Sequence, residues 1–324
     1  MKLAFIASPE RPVPPEDYGG GERTIDIMVR NLVKRGHKVD LYCKVGSTCP
    51  ATNRIETVGG KKSEIDQYNK VKEVADQYDC IIDHGPNHIV GQDKDIPNVI
   101  SIMGGDPLKR YPHDQVKNRV YKSKEFAFFC MFPNHPVLPS VVENKPKKIP
   151  FFDKPEAEFP YALYVGSIRP LKGVHVAAEA CKMLGLKLKV AGPVMDKKYW
   201  EQIKDSVEYI GLLGKEKRDE TFGKAMVFLH PVQVCDCNPN APKEAMLRGT
   251  PVVCCPMGGI VGFVQPGIGG YFAQSVSDFA QGIVTAELLD RWLVRKSILR
   301  QVDPDYCVDV LVNLCKRVAG GQRW

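Results

Sequence analysis

Short apolar runs alternate with amphipathic stretches from one end of the chain to the other. Lys2 to Ser8 is a brief apolar run, read as a buried first strand. After a proline-rich loop, Ile25, Met28, Val29, Leu32 and Val33 recur at the spacing of one helical face, and Gly36 stops it. Val39 to Cys43, Cys80 to Asp83 and Asn98 to Met103 are the next strand candidates. Between about Glu143 and Pro160 the composition turns charged and proline-studded, as in a linker, and includes the run Asn144 to Pro150. The rhythm then restarts. Tyr161 to Val165 predicts a strand, Val174 to Leu184 a helix and Leu186 to Ala191 a strand. Val207 to Ile210 and Met226 to Leu229 follow with a helix between them, then a helix through Glu244, a strand over Thr250 to Cys255, and helix from Leu288 nearly to the end. Strand–helix alternation of this kind is the signature of parallel sheets covered on both faces. The fold class is therefore α/β, with two Rossmann-like doubly wound parallel-sheet domains facing across a cleft. Ligands of such sheets bind beyond the carboxyl ends of the strands.

Composition narrows the function. At 324 residues the chain has room for two domains, and 44% hydrophobic with 26% charged residues is globular in character. No apolar run approaches the roughly 20 residues of a spanning helix. The first apolar stretch is about six residues, short of the 7–15 of a signal peptide, so a cytoplasmic protein is expected. A net charge of +7 suits anionic substrates or peripheral attachment at the inner membrane face. Nucleic acid is not expected as a partner, because the chain lacks aromatic–basic interleaving and the known motifs. The eleven cysteines follow no disulfide framework or common zinc spacing and read as reduced core thiols.

Candidate chemistry gathers in four places. Tyr18-Gly-Gly-Gly-Glu-Arg23 follows the first strand, where glycines let backbone N–H groups approach a phosphate. It matches neither a dinucleotide fingerprint nor a nucleoside-triphosphatase loop. Val165-Gly-Ser-Ile-Arg-Pro-Leu-Lys-Gly173 follows the first strand of the second half and offers Arg169 and Lys172 to a diphosphate. Asp236 and Glu244 sit eight apart around Pro239-Asn240, with Glu244 read in the first turn of a helix whose N–H groups attract an anion. Gly258-Gly259 adds another close backbone approach. A phosphorylated sugar uses both the cations and the carboxylates.

These segments resemble, in order and spacing, the family-4 retaining glycosyltransferases of GT-B fold: Gly19-Gly-Gly-Glu22, Tyr164 to Gly173, Pro239-Asn240 with Glu244 to Val253, and Gly258-Gly259. The resemblance implies a metal-independent hexosyltransferase that needs no cofactor and moves a sugar from a UDP- or GDP-sugar to an acceptor hydroxyl with retention. It implies an acceptor-side domain over 1–150, a donor-binding domain over 151–302, and a final helix, about 303–324, packing back on the first. Lys172 resembles the lysine that neutralises the donor diphosphate, with Arg169 assisting. Glu244 resembles the glutamate that holds ribose hydroxyls, and Asp236 stands where the family has a glutamate touching the transferred sugar. Gly20 and Gly21 resemble the loop that closes over the phosphates, and Gly211 lies near the base. Asn240, Gly258 and Gly259 complete the donor side. Ser167 replaces a frequent arginine, and Met103 a frequent histidine for which His84 is the stand-in; Glu22, His84 and Met103 would face the acceptor or sugar. That acceptor would be a carbohydrate, a lipid-linked molecule or a small molecule. A non-catalytic nucleotide-sugar binder, a nucleotide-sugar epimerase and a phosphorylase are the rivals that keep the fold. The missing fingerprint disfavours a Rossmann oxidoreductase.

Overall fold

The computed structural model describes residues 1–16, 19–104, 115–143 and 145–324, so Tyr18 and Asn144 lie outside the described residues. Two compact units emerge. One comprises Met1–Asn144 with Asp303–Trp324, the other Lys145–Val302.

The first unit carries β1 (Lys2–Ile6), α1 (Gly20–Lys34), β2 (Lys38–Lys44), β3 (Asn53–Thr57), α2 (Lys61–Lys72), β4 (Cys80–Asp83), α3 (Ile89–Gln92), β5 (Val99–Met103), β6 (Arg119–Tyr121) and α4 (Lys124–Phe129). Its strands are parallel and lie in the order β3-β2-β1-β4-β5-β6. Central β1 pairs on both sides, Leu3 with Val39 and with Cys80, which is why its run is apolar throughout. In α1 the residues Ile25, Met28, Val29 and Leu32 are buried as their spacing predicts, and Val33 packs at the margin.

The second unit repeats the plan with β7 (Tyr161–Val165), α5 (Val174–Met183), β8 (Lys187–Ala191), α6 (Lys197–Ile203), β9 (Glu208–Tyr209), α7 (Lys215–Gly223), β10 (Val227–His230), α8 (Asn240–Leu247), β11 (Val252–Cys254), β12 (Gly270–Phe272), α9 (Val276–Glu287) and α10 (Arg291–Leu299). Its order is β12-β11-β10-β7-β8-β9, again all parallel. Counted from its own first strand this is the same winding as in the first unit. Both sheets reverse direction between their first and fourth strands, and ligand sites of such folds form at that reversal.

Two expectations change in detail. The proline-rich stretch from 145 onward is packed rather than slack. Arg295 donates to the carbonyls of Pro146, Lys147 and Ile149, and the Phe152 N–H donates to the Arg248 carbonyl at 3.1 Å. Leu288 onward is also not one helix. Asp290 caps α10 by accepting from the Trp292 and Leu293 N–H groups, and Asp303 caps α11 (Pro304–Ala319), with a proline at the helix start. Helix α11 belongs to the first unit, where Cys307, Val308, Leu311, Leu314, Cys315 and Val318 join the core. Among the described residues no helix is long and apolar enough to cross a membrane.

Candidate functional site

In the second unit, the loops that leave the two strands at the sheet reversal supply the candidate chemistry. After β7 the chain buries Ser167, whose carbonyl accepts from the Tyr164 hydroxyl at 2.9 Å. The loop then turns through a short 3-10 segment, Pro170–Lys172. Gly173 ends it in the left-handed region, φ 68°, where an added Cβ would stand 1.9 Å from the Pro231 carbonyl. This close approach sets the β7 loop against the loop leaving β10. The Gln233 N–H also donates to the Leu171 carbonyl at 3.1 Å.

Lys172 and Asp236 consequently meet. Lys172 Nζ donates to Asp236 Oδ2 at 2.8 Å, with their side chains 16% and 19% exposed. Burial pushes the Asp236 carboxyl up. The charges of Lys172 and His230, and hydrogen bonds from Lys172 and the Asn238 N–H, outweigh it, so the carboxyl lies below its usual range. The same loop is tied from behind: the Gly259 N–H donates to the Asp236 carbonyl at 2.8 Å, and a Cβ on Gly258 would stand 2.2 Å from that oxygen. Gly258-Gly259 thus lies flush against the acidic loop. Arg169 Nε is buried without a hydrogen-bond partner among the described residues.

Asn240 opens α8, and Pro239, its N-cap, offers no side-chain acceptor. Glu244 is the fifth residue of α8 rather than part of its first turn, because the helix already begins at Asn240. Its partner is Arg218 of α7, whose Nε donates to Oε2 at 2.7 Å. Gly211 lies beyond β9, where its carbonyl accepts from the Gly192 N–H at 2.9 Å.

Two residues here were not anticipated. Arg218 sits in the charged run Lys215 to Glu220, in the helix expected between Ile210 and Met226. His230 ends β10, is 7% exposed, and its Nε2 has no hydrogen-bond partner among the described residues. Burial, with Lys172 assisting and Asp236 opposing, pushes its pKa down to about 4. An apolar run ending in histidine beside a loop was the available signal.

In the first unit, Gly20 and Gly21 open α1, and Thr24 Oγ1 donates back to the Gly20 carbonyl at 3.0 Å. Glu22 is buried in the first turn, folded toward Gly19, where an added Cβ would stand 2.7 Å from its Oε2. His84 follows β4, and its ring stacks on Phe5 with centroids 6.1 Å apart. Burial, then the charges of Lys122 and His88, holds it neutral, well below the usual histidine range. Met103 ends β5 and is buried. The register Asp83↔Ser101 brings His84 and Met103 out at the carboxyl ends of adjacent strands.

Residues 159–287 match the family model described as glycosyl transferases group 1. An uncharacterised glycosyltransferase of Methanocaldococcus jannaschii is 27% identical over 152 residues, which is 44% of this chain and 42% of that protein. The match thus spans less than half the length of that curated relative. AviGT4, a glycosyltransferase involved in avilamycin A biosynthesis, has a similar structure with a TM-score of 0.77 at 23% identity, over 100% of this chain and 99% of its own. Sucrose-phosphate synthase of Thermosynechococcus elongatus gives 0.77 at 15% identity, over 99% and 100%. HepE of Anabaena, in complex with UDP and glucose, gives 0.75 at 13% identity, over 97% and 98%. At such identities the likeness is one of fold, and it bears out the expected GT-B architecture. Residues 159–287 thus match the model of the group 1 glycosyl transferases, on a chain with the GT-B fold.

Proposed function

We propose that the protein is a retaining glycosyltransferase that moves a hexose from a nucleotide-sugar donor, UDP- or GDP-linked, to an acceptor hydroxyl without a metal ion. The observation that carries this reading is the Lys172–Asp236 pair at 2.8 Å, beside the start of α8. A departing nucleoside diphosphate needs positive charge and oriented N–H groups where its negative charge develops. Lys172 and Arg169 supply the first and the N-terminal turn of α8 the second. Asp236, ionised and steered by Lys172, accepts hydroxyls of the transferred sugar, and Glu244 accepts those of the ribose. The acceptor hydroxyl attacks the face from which the diphosphate leaves, and a leaving-group oxygen takes its proton. Support for the donor class comes also from HepE of Anabaena, described in complex with UDP-glucose. The acceptor is a carbohydrate, a lipid-linked molecule or a small molecule bearing a hydroxyl.

The test begins with thermal shift against UDP-, GDP- and ADP-sugars, since a bound donor raises the melting temperature by mass action. Product analysis then follows the donor that binds. Lys172→Ala is expected to lower kcat/KM about a hundredfold or more while melting close to the wild type. A fully active variant refutes the assignment. Donor binding with no transfer to any acceptor favours a non-catalytic nucleotide-sugar binder.

A further inference from the structure

Glu244 is held more tightly than a hydroxyl acceptor alone requires. It is 4% exposed, and Arg218 grips one of its two oxygens: Nε donates to Oε2 at 2.7 Å, and Nη2 stands 2.6 Å from the same atom. Oε1 takes no hydrogen bond from the protein among the described residues. Arg218 Nη1 also reaches the Leu213 carbonyl at 3.4 Å, in the loop that precedes α7. The next residue, Asp219, accepts from Arg248 Nε at 2.9 Å, while Arg248 Nη1 donates to the Glu244 carbonyl at 2.8 Å. Helices α7 and α8 are therefore joined by two ion pairs of opposite polarity that bracket Glu244, one on its carboxylate and one beside its carbonyl.

A glutamate side chain left to itself samples several rotamers, and each loses part of its directional value to a ligand. The planar guanidinium fork removes that freedom and offsets a negative charge that would otherwise stand near a diphosphate. We propose that Arg218 is a positioning residue that presents the Oε1 edge of Glu244 to the donor's ribose, so that the site selects ribonucleotides over 2′-deoxyribonucleotides. The inference rests on the reading of Glu244 as the ribose acceptor. With Oε2 occupied, both vicinal hydroxyls donate to Oε1. A deoxyribose leaves that oxygen with one donor instead of two, a loss that a freely turning carboxylate would relieve.

The experiment is calorimetric titration of the full-length protein with UDP, GDP and ADP, then with the 2′-deoxy form of the tightest binder. Wild type is expected to favour the ribonucleotide about tenfold or more. In Arg218→Met the preference is expected to shrink to about twofold, and in Arg218→Lys, which keeps charge but not the fork, to lie between. In a Glu244→Gln background, Arg218→Met is expected to change the preference little further, as for two groups acting through one contact. A purely structural role for Arg218 would lower melting temperature and affinity for both sugars while leaving their ratio intact. A variant that stays folded with the wild-type ratio overturns the inference while leaving the donor reading standing. Arg218→Lys serves if the methionine variant does not fold. Equal wild-type affinity for both sugars, or no binding of any nucleoside diphosphate, overturns the Glu244 reading and this inference with it.

Discussion

His230 shows how burial and charge set the chemistry of a single residue. It lies at the end of a central strand with Lys172 and Asp236 acting on it, and its pKa is pushed down to about 4. The unfolded chain binds this proton near pH 6.5, whereas the folded chain resists until about pH 4. Across that window the unfolded state holds more protons, so stability falls as pH falls, by about 3 kcal/mol at most from this group. His84, also held neutral, acts in the same direction. His230→Gln is therefore expected to lose less melting temperature than wild type between pH 7 and pH 5. Identical slopes would show that His230 is not the group responsible. At this scale the loop glycines and prolines made legible that Lys172 and Asp236 lie on loops leaving strand ends, which the structure brings together. Arg218 was not legible: a guanidinium in a charged run looks the same in one dimension whether it faces water or a carboxylate.

Elements are held in place by close backbone approaches as much as by apolar faces. Gly173 combines φ 68° with a Cβ position 1.9 Å from the Pro231 carbonyl, so Gly173→Ala meets both strain and a clash. It is expected to cost about 2 kcal/mol or more in denaturant unfolding. Gly185→Ala has a similar φ, 61°, but nothing within 4 Å of its Cβ, and is expected to cost only about 1 kcal/mol. Equal losses at the two positions would deny the packing role of Gly173. Central strands such as β1, β4, β5, β7 and β10 were readable because burial on both faces makes their runs apolar. The edge strands β3 (Asn-Arg-Ile-Glu-Thr), β6 and β12 were not, whereas edge strand β9 falls inside the expected Val207 to Ile210. β3 is polar and resembles a loop, and the three residues each of β6 and β12 are too few to show a period.

At the scale of the molecule, the last helix completes a core built more than 150 residues earlier. The buried face of α11, Cys307, Val308, Leu311, Leu314, Cys315 and Val318, packs with residues of β1, α1 and β4. Each large apolar side chain there contributes about 1.5–3 kcal/mol by burial, and together they rival a typical domain stability of about 5–15 kcal/mol. A chain ending at Val302 is expected to lose the cooperative unfolding of the first unit. The second unit should survive as a protease-resistant fragment starting near Lys145. An unchanged calorimetric trace for the truncated protein would show that α11 is dispensable. By itself the sequence determined the fold class, the central strands and the positions of the loops that leave them, since all three follow from local periodicity and from backbone chemistry specific to glycine and proline. Only the tertiary structure decided which charges meet: Lys172 with Asp236, Arg218 with Glu244, Arg248 with Asp219. Those pairings span separations that no periodicity encodes. Lys172 meets Asp236 because the second sheet reverses its winding between β7 and β10 and sets their loops side by side, and the other two pairs form where α7 packs on α8.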